Sequence, residues 1–414
     1  MTNNIESVNI LVPAPIETEP KIAVGRLPVM AFVADADSER LLRECLSQLG
    51  SNVIMRGSIG KAIEYLGERR SPHLLIVDIS SVDLPLSQVH LLADVCEPGT
   101  EVIALGDHND VGLYRDLQDA GVRSYIVKPL TRELFLKTLA TKPNPGEIGR
   151  SGLKLGKLVS FIGARGGVGA TTVACNLAWH LATRQSRRVA LVDLDFQHGD
   201  CALLFNINYT PGFRDALSNP LRLDQLLLDR IITQYSERLF VLGSEEPLHH
   251  NLQFSPTAID ALFAVLRSQF HYIIADVPRI PAPAYRRALE IADRRVIVVD
   301  QTMRSMRDGV RLAKMFGDAE AFGTDGTTEL RNIFVVNRVG EAGNRLLSLK
   351  EINSVLPVQP TSSISFLPTL VTPAAHHGQI ASSRRNKFSN AVAALALELS
   401  GRKERRRWWR RAGK

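Results

Sequence analysis

Short apolar runs alternate with amphipathic stretches along residues 28–141, and this alternation predicts a domain built from strands and helices. The predicted strands are Val29–Ala34, Val53–Met55, Leu74–Val77, Val102–Leu105 and Tyr125–Val127, and the predicted helices are Ser38–Gln48, Ile59–Gly67 and Leu134–Ala140. Strands that alternate with helices indicate a parallel sheet covered on both faces. Ligand sites on such sheets lie at the carboxyl ends of the strands, where Asp35, Asp78 and Lys128 fall.

The same alternation resumes at Lys157 and predicts a second, larger parallel sheet with helices on its faces. The predicted strands are Lys157–Ile162, Arg188–Val192, Leu239–Gly243, Tyr272–Ala275, Val296–Val299, Asn332–Val336 and Ser363–Leu367. The predicted helices are Thr172–Arg184, Phe213–Leu217, Asp224–Leu228, Pro256–Gln269, Met303–Met315 and Phe388–Leu399. We therefore expect two α/β domains in one chain.

Shifts in composition set the boundaries of these domains. We predict a flexible leader over residues 1–27, a first domain over 28–141 and a Pro/Gly-rich linker over 142–156. The second domain covers 157–400, and a basic tail with Trp408 and Trp409 covers 401–414. Such a tail is compatible with an anionic membrane surface, an acidic partner or nucleic acid.

Charge and cysteine content narrow the class of protein. The 414 residues carry a formal net charge of +7, but much of the excess lies in the tail, which argues against a specific nucleic-acid surface. The four cysteines lack metal-binding spacing and indicate free, mostly buried thiols. The chain shows no membrane-spanning apolar run and no signal-peptide pattern, so we expect it in the cytoplasm.

The stretch GARGGVGATT, Gly163–Thr172, lies between a predicted strand and a predicted helix, which is the context of a phosphate-binding loop. Gly166, Gly167 and Gly169 let the main chain curl so that its N–H groups point inward. The following helix directs the positive end of its dipole into the same hollow, and Thr171 occupies the hydroxyl position that holds Mg²⁺. The other predicted nucleotide-binding positions are Gly163, Arg165, Val168, Ala170 and Thr172.

This loop resembles the deviant phosphate-binding loop of the MinD/ParA ATPases, KGGxGK[ST]. Arg165 stands where that family has the lysine that reaches the partner's nucleotide across a dimer, and Ala170 replaces the second lysine. The resemblance implies an ATP- and Mg²⁺-binding homodimer. Because phosphoryl transfer needs positioned positive charge, the two replacements predict weak or slow hydrolysis. A tight turn without a ligand is the alternative.

Three later segments resemble the same family. In LVDLDFQHGD the resemblance implies that Asp195 is the catalytic residue, holding the attacking water and the metal shell, while Asp193 shapes the loop or approaches Mg²⁺ through water. Asp276 matches the acid that ends the second metal-side strand. Asn337 and Arg338 match the position that binds the adenine edge. Each feature alone is also compatible with an ordinary turn at the end of a strand.

The first domain resembles the receiver domain of response regulators. Asp78 matches the phospho-acceptor, and Asp35 matches the first of two metal-binding acids. Lys128 and Pro129 match the Lys-Pro pair that follows the fifth strand. Ala36 replaces the second acid and Gly106 replaces the hydroxyl residue that steadies the phosphoryl group. A Mg²⁺ site here lacks a carboxylate. We therefore expect an atypical, flavodoxin-like receiver module that serves docking or dimerisation and is not phosphorylated.

The pairing of these two domains, with the runs VALVDLDFQHGDCALLF and FLPTLVTPAAHHGQI, resembles the CpaE/TadZ family of Tad (Flp, type IVb) pilus-assembly proteins. The resemblance implies an ATP-binding scaffold at the pole or inner membrane, with the pilus secretion ATPase and inner-membrane Tad components as partners. Two alternatives are an active ParA/MinD-type ATPase that partitions DNA or cargo, and a response regulator driven by phosphorylation of Asp78.

Overall fold

The structure is a computed structural model that describes residues 27–47, 52–80, 82–141, 155–250, 252–316, 320–322, 328–330, 332–341 and 346–400. The predicted leader apart from Leu27, most of the predicted linker, and the basic tail lie outside these residues. Within the described part of the chain, no helix combines the length and the apolar character needed to cross a membrane.

The first domain contains a five-stranded parallel sheet. Its strands are β1 (Val29–Val33), β2 (Asn52–Arg56), β3 (Leu74–Asp78), β4 (Glu101–Gly106) and β5 (Ser124–Val127), in the spatial order β2-β1-β3-β4-β5. Its helices are α1 (Ala36–Leu46), α2 (Ile59–Glu68), α3 (Pro85–Val95), α4 (Val111–Asp119) and α5 (Arg132–Ala140). Buried apolar clusters lie on both faces of the sheet, as a parallel sheet requires.

The second domain contains a larger sheet and ten helices within the described residues. Its strands are β6 (Lys157–Gly163), β7 (Val189–Asp193), β8 (Thr233–Gln234), β9 (Leu239–Leu242), β10 (Tyr272–Asp276), β11 (Arg294–Val299), β12 (Glu320–Phe322), β13 (Thr328–Leu330), β14 (Asn332–Val339) and β15 (Ser362–Ser365). Its helices are α6 (Ala170–Arg184), α7 (Cys201–Phe205), α8 (Phe213–Ser218), α9 (Gln225–Ile231), α10 (Pro256–Arg267), α11 (Pro283–Glu290), α12 (Met303–Met315), α13 (Leu349–Val355), α14 (Pro368–His376) and α15 (Lys387–Ser400).

The order of the main sheet is β15-β14-β11-β6-β10-β7-β9-β8, parallel except for the β8–β9 pair, while β12 and β13 form a separate antiparallel hairpin. Strand β6 lies between β10 and β11, so the chain crosses from one half of the sheet to the other at this strand. The loop after β6 therefore opens at a topological switch point, where α/β sheets bind ligands. Two apolar clusters fill the two faces of the sheet.

The predicted elements differ from the observed ones mainly at their ends. Helix α6 begins at Ala170 and not at Thr172, because Gly169 in a left-handed conformation is its N-cap. The predicted strand Ser363–Leu367 ends at Ser365, since Pro368 starts α14 and Leu367 is its N-cap. Helices α3, α4, α7, α11 and α13 and strands β8, β12 and β13 were not predicted.

The two domains contact each other through the amino-terminal edges of their sheets. His271, just before β10, places Nε2 3.0 Å from the carbonyl oxygen of Cys96 at the end of α3. Arg238, just before β9, donates a 3.2 Å hydrogen bond to the carbonyl of Gly67 in α2. The carboxyl edges of both sheets, where sites on parallel sheets are built, therefore face away from this contact.

Candidate functional site

The loop after β6 has the curled backbone that the sequence predicts for a phosphate-binding loop. Gly167 and Gly169 adopt positive φ angles of 78° and 87°, which disfavour any side chain. A Cβ at Gly169 would also lie 2.5 Å from Nδ2 of Asn337. The loop runs into the N-terminus of α6, whose first N–H groups lack partners within the helix. This arrangement suits the binding of an anionic group.

Asn337 and Arg338, near the end of β14, donate hydrogen bonds to the main chain of this loop. Nδ2 of Asn337 donates a 2.8 Å hydrogen bond to the carbonyl of Val168, and the Asn337 side chain is buried. Arg338, with φ of 58°, donates a 3.0 Å bond to the carbonyl of Gly167. The amide donor of Asn337 is thus used within the protein, and its assignment to the adenine edge stays a prediction.

Arg165 does not point into the loop. Its guanidinium forms a 2.8 Å ion pair with Oδ2 of Asp308 on α12, and Arg307 pairs with the other oxygen of Asp308. The Arg165 side chain remains 39% exposed. Ala170 begins α6 and packs against the apolar cluster on that face of the sheet. The loop therefore presents backbone N–H groups to a ligand, while Arg165 is paired with Asp308.

Asp276 and Asp193 are direct neighbours at the carboxyl ends of β10 and β7. Burial is the main cause that raises the pKa of Asp276, and the charge of Asp193 raises it further against the hydrogen bond from Thr171. Burial likewise raises the pKa of Asp193. Two desolvated carboxylates of like charge favour a proton or a cation between them. The hydroxyl of Thr171 and these carboxylates are the hard oxygen donors that Mg²⁺ prefers, so the residues fit the ion.

Asp193 also organises the loop that follows β7. Its Oδ1 accepts from the N–H of Asp195 at 3.0 Å, and its Oδ2 accepts from the N–H of Cys201 at 3.2 Å and from the Tyr209 hydroxyl at 2.8 Å. A Cβ at Gly199 would lie 2.3 Å from the same Oδ2. Sequence reasoning anticipated a loop-shaping Asp193 but missed Tyr209, which no motif marks.

Asp195 lies at the rim of this loop with its side chain 27% exposed. Its Oδ1 accepts from the N–H of His198 at 2.9 Å and from that of Gln197 at 3.4 Å. These bonds are those of a turn former, and they leave Oδ2 for another partner. The structure brings Asp195 to the same edge as Thr171 and Asp276, and its catalytic role stays a prediction.

The predicted acids and lysine of the first domain meet at the carboxyl edge of its sheet. Nζ of Lys128 lies 2.6 Å from Oδ2 of Asp78 and 2.7 Å from Oδ2 of Asp35. Partial burial alone would raise the pKa of Asp35, but hydrogen bonds from Lys128 and Ser38 lower it to about 2. An ammonium group thus occupies the centre of the cluster.

Asp78 is fully buried and has further donors around it. Its Oδ1 accepts from the Ser80 hydroxyl at 2.6 Å and from the Ser80 N–H at 3.0 Å, and its Oδ2 accepts from the N–H of Ala34 at 2.9 Å. The Tyr125 hydroxyl fills the space beside Gly106, because a Cβ there would lie 2.5 Å from it. Sequence reasoning missed Ser80 and Tyr125.

Among known protein families, the AAA domain matches residues 156–320 of this chain. The septum site-determining protein MinD of Bacillus subtilis is 24% identical over 259 residues, which cover 60% of this chain and 90% of that protein. A ParA family ATPase from Chlorobium tepidum superimposes with a TM-score of 0.51 at 22% identity, covering 58% of this chain and 98% of that one.

A pilus assembly protein CpaE from Caulobacter crescentus is 27% identical over 28% of this chain and 97% of that chain, with a TM-score of 0.26. A TM-score this low carries no argument about the fold or the function of this chain. The domain match, the MinD relative and the ParA superposition agree with the loop geometry described above. The second domain therefore has the α/β fold of the ParA family ATPase, and residues 156–320 match the AAA domain.

Proposed function

We propose that this protein is an ATP-binding, dimerising scaffold that positions the Tad (Flp) pilus assembly and secretion machinery at the cell pole or inner membrane. The observation that carries the nucleotide part is the glycine curl of Gly167 and Gly169 beside the Thr171–Asp276 pair. Main-chain N–H groups and the start of α6 bind the phosphates, and Thr171 with Asp276 holds Mg²⁺. Bound Mg²⁺ neutralises phosphate charge.

Slow hydrolysis follows from the charges around the loop. Ala170 offers no ammonium group to the phosphates, and the nearby guanidinium of Arg165 is paired with Asp308. Stabilising the charge of a transferring phosphoryl group is the main work of such a site. Binding without rapid turnover suits a scaffold whose nucleotide sets its dimeric state.

The pilus-assembly role is supported by the order of the two domains and by the two sequence runs quoted above. The closed charge cluster at Asp78 supports a docking role for the first domain, since its carboxylate already has Lys128 and Ser80 as partners. We assign the homodimer contact to the carboxyl edge of the large sheet, where Arg165 is exposed. The basic tail would lie on the membrane surface or on an acidic partner.

Calorimetric titration of the full chain with ATP and Mg²⁺ tests the nucleotide part. We expect binding that Thr171→Ala weakens by about tenfold, since a metal-side oxygen is lost. Thr141→Ala, at an exposed site in the other domain, is the matched control and should bind as the parent does. No heat of association with adenine nucleotides would refute the proposal.

Imaging of the tagged chain in its own host tests the pilus part. Removal of the gene should abolish surface pili, and re-expression should restore them together with a polar or membrane focus. Normal piliation without the gene would contradict the pilus role and would indicate that the protein acts in another pathway.

A further inference from the structure

Two thiols lie beside the carboxylate pair of the second domain. Cys201 and Cys175 are fully buried, on α7 and α6, and their sulfur atoms are 3.5 Å apart. The sulfur of Cys201 and one carboxylate oxygen each of Asp193 and Asp276 lie within 4.8 Å of one another. Three ligand atoms from three separate elements therefore converge on one buried point, with a fourth behind it.

We propose that Asp193, Cys201, Asp276 and Cys175 form a binding site for a thiophilic divalent cation such as Zn²⁺ or Cd²⁺.

The distances suit a tetrahedral ion. Two sulfur atoms bound at about 2.3 Å to one tetrahedral ion lie about 3.8 Å apart. The observed 3.5 Å separation is close to this value. The Cys201 sulfur and the two carboxylate oxygens lie within 4.8 Å of one another and approach further when they bind one ion. A set of two sulfurs and two oxygens is one that zinc accepts.

The same ligands discriminate against the ion that a phosphate-binding loop uses. Mg²⁺ requires octahedral oxygen coordination and does not bind thiols, so it takes the Thr171 side of Asp276. A softer ion takes the sulfur side, where Cys201 loses its proton on binding. Because both ions need Asp276, they exclude each other, and this last consequence alone rests on the proposed function.

The local hydrogen bonds show how the site is kept intact without an ion. The Cys175 thiol donates to the sulfur of Cys201, and the Cys201 thiol donates to Asp193. A chain of thiol donors thus ends on a carboxylate. Binding of a cation replaces these protons with metal bonds.

Cadmium titration of the reduced, nucleotide-free full chain tests the proposal. We expect one Cd²⁺ per chain with a sulfur-to-cadmium charge-transfer band in the ultraviolet. Cys201→Ser should abolish the band and Cys175→Ser should reduce it, whereas Cys45→Ser, in the other domain, should leave it unchanged. Circular dichroism of each variant establishes that the fold is retained.

Several results would overturn the proposal: no band in the parent chain, a band of full strength in Cys201→Ser, or a band lost only in Cys45→Ser. Cadmium-113 magnetic resonance supplies a second measurement, since its shift distinguishes mixed sulfur–oxygen coordination from oxygen alone. Because no nucleotide is present, failure of ATP binding does not affect these outcomes. If both functions hold, saturating Cd²⁺ weakens binding of Mg²⁺ with ATP.

Discussion

The guanidinium of Arg165 lies 2.8 Å from the carboxylate of Asp308 on α12, within the same chain. Arg165 is the cation nearest the centre of the loop sequence, and its partner holds it at the rim. On the proposed function, a bound nucleotide competes with Asp308 for this charge or leaves the guanidinium for a second copy of the chain.

Substitution of Asp308 by asparagine tests this competition. A partly exposed ion pair is weak, so Asp308→Asn should tighten ATP binding by about two- to fivefold. The measurement is a titration with ATP and Mg²⁺, and Arg165→Ala in the same background should remove the gain. An unchanged affinity in Asp308→Asn would mean that Arg165 does not contact the nucleotide of its own chain.

Restoring a lysine at the start of α6 tests the loop geometry. In Ala170→Lys, the new ammonium can reach the phosphates, and a charge-assisted hydrogen bond should raise ATP affinity by about tenfold. Steady-state hydrolysis should rise as well, because the transferring phosphoryl group gains positive charge nearby. A fall in affinity would show that the side chain at this position points away from the phosphates.

The cluster around Asp78 predicts that the stability of the first domain depends on Lys128 and that phosphodonors do not modify Asp78. Lys128→Ala leaves a fully buried carboxylate without its cation, and should cost on the order of 3 kcal/mol in the unfolding free energy of this domain. Urea unfolding measures the loss, with exposed Lys137→Ala as the control.

Incubation of the parent chain with acetyl phosphate should leave Asp78 unmodified by mass spectrometry. A stable phospho-species would revive the response-regulator alternative. The two measurements are independent, because the first reports on folding and the second on the chemistry of the carboxylate.

The burial of His271 at the contact between the domains predicts that acid destabilises the protein there. Its Nδ1 accepts from the N–H of Arg188 at 3.0 Å, so Nε2 carries the proton that points at Cys96. Burial, and then the charge of Arg187, lower the pKa of His271 to about 4. Since protonation is disfavoured in the folded state, this stability is complete above the ordinary pKa of 6.5 and is lost as pH falls toward 4.

The loss should reach at most about 3 kcal/mol across that window. Urea unfolding at several pH values measures it. His271→Gln should flatten the profile, while His249→Gln, at an exposed position, should keep it. An unaltered profile in His271→Gln would place the acid-sensitive group elsewhere.

The sequence predicted the parts of the site that strand ends and glycines determine. The curl at Gly167 and Gly169 and the position of Asp276 follow from local pattern, because parallel strands bring their carboxyl ends to one edge. The contacts of Tyr209 with Asp193 and of Arg165 with Asp308 join residues far apart in sequence, so periodicity does not reveal them. Gly243 illustrates the same limit: its lack of a side chain makes room for the Tyr209 ring.

The missed helices have a related cause. Helix α11 begins at Pro283, soon after Pro278 and Pro281, and α4 is polar enough to resemble a loop. Both helices are short, at eight and nine residues, so each offers only about two turns in which an apolar periodicity can be recognised.

The contact of the two sheets through His271 and Arg238 has a geometric consequence for any paired state. If two copies meet through the loop edges of their larger domains, their smaller domains lie at the far poles of the pair, pointing in opposite directions. On the proposed function, such a dimer would hold nucleotide at its centre and would leave one small domain at each end to bind a separate component of the assembly.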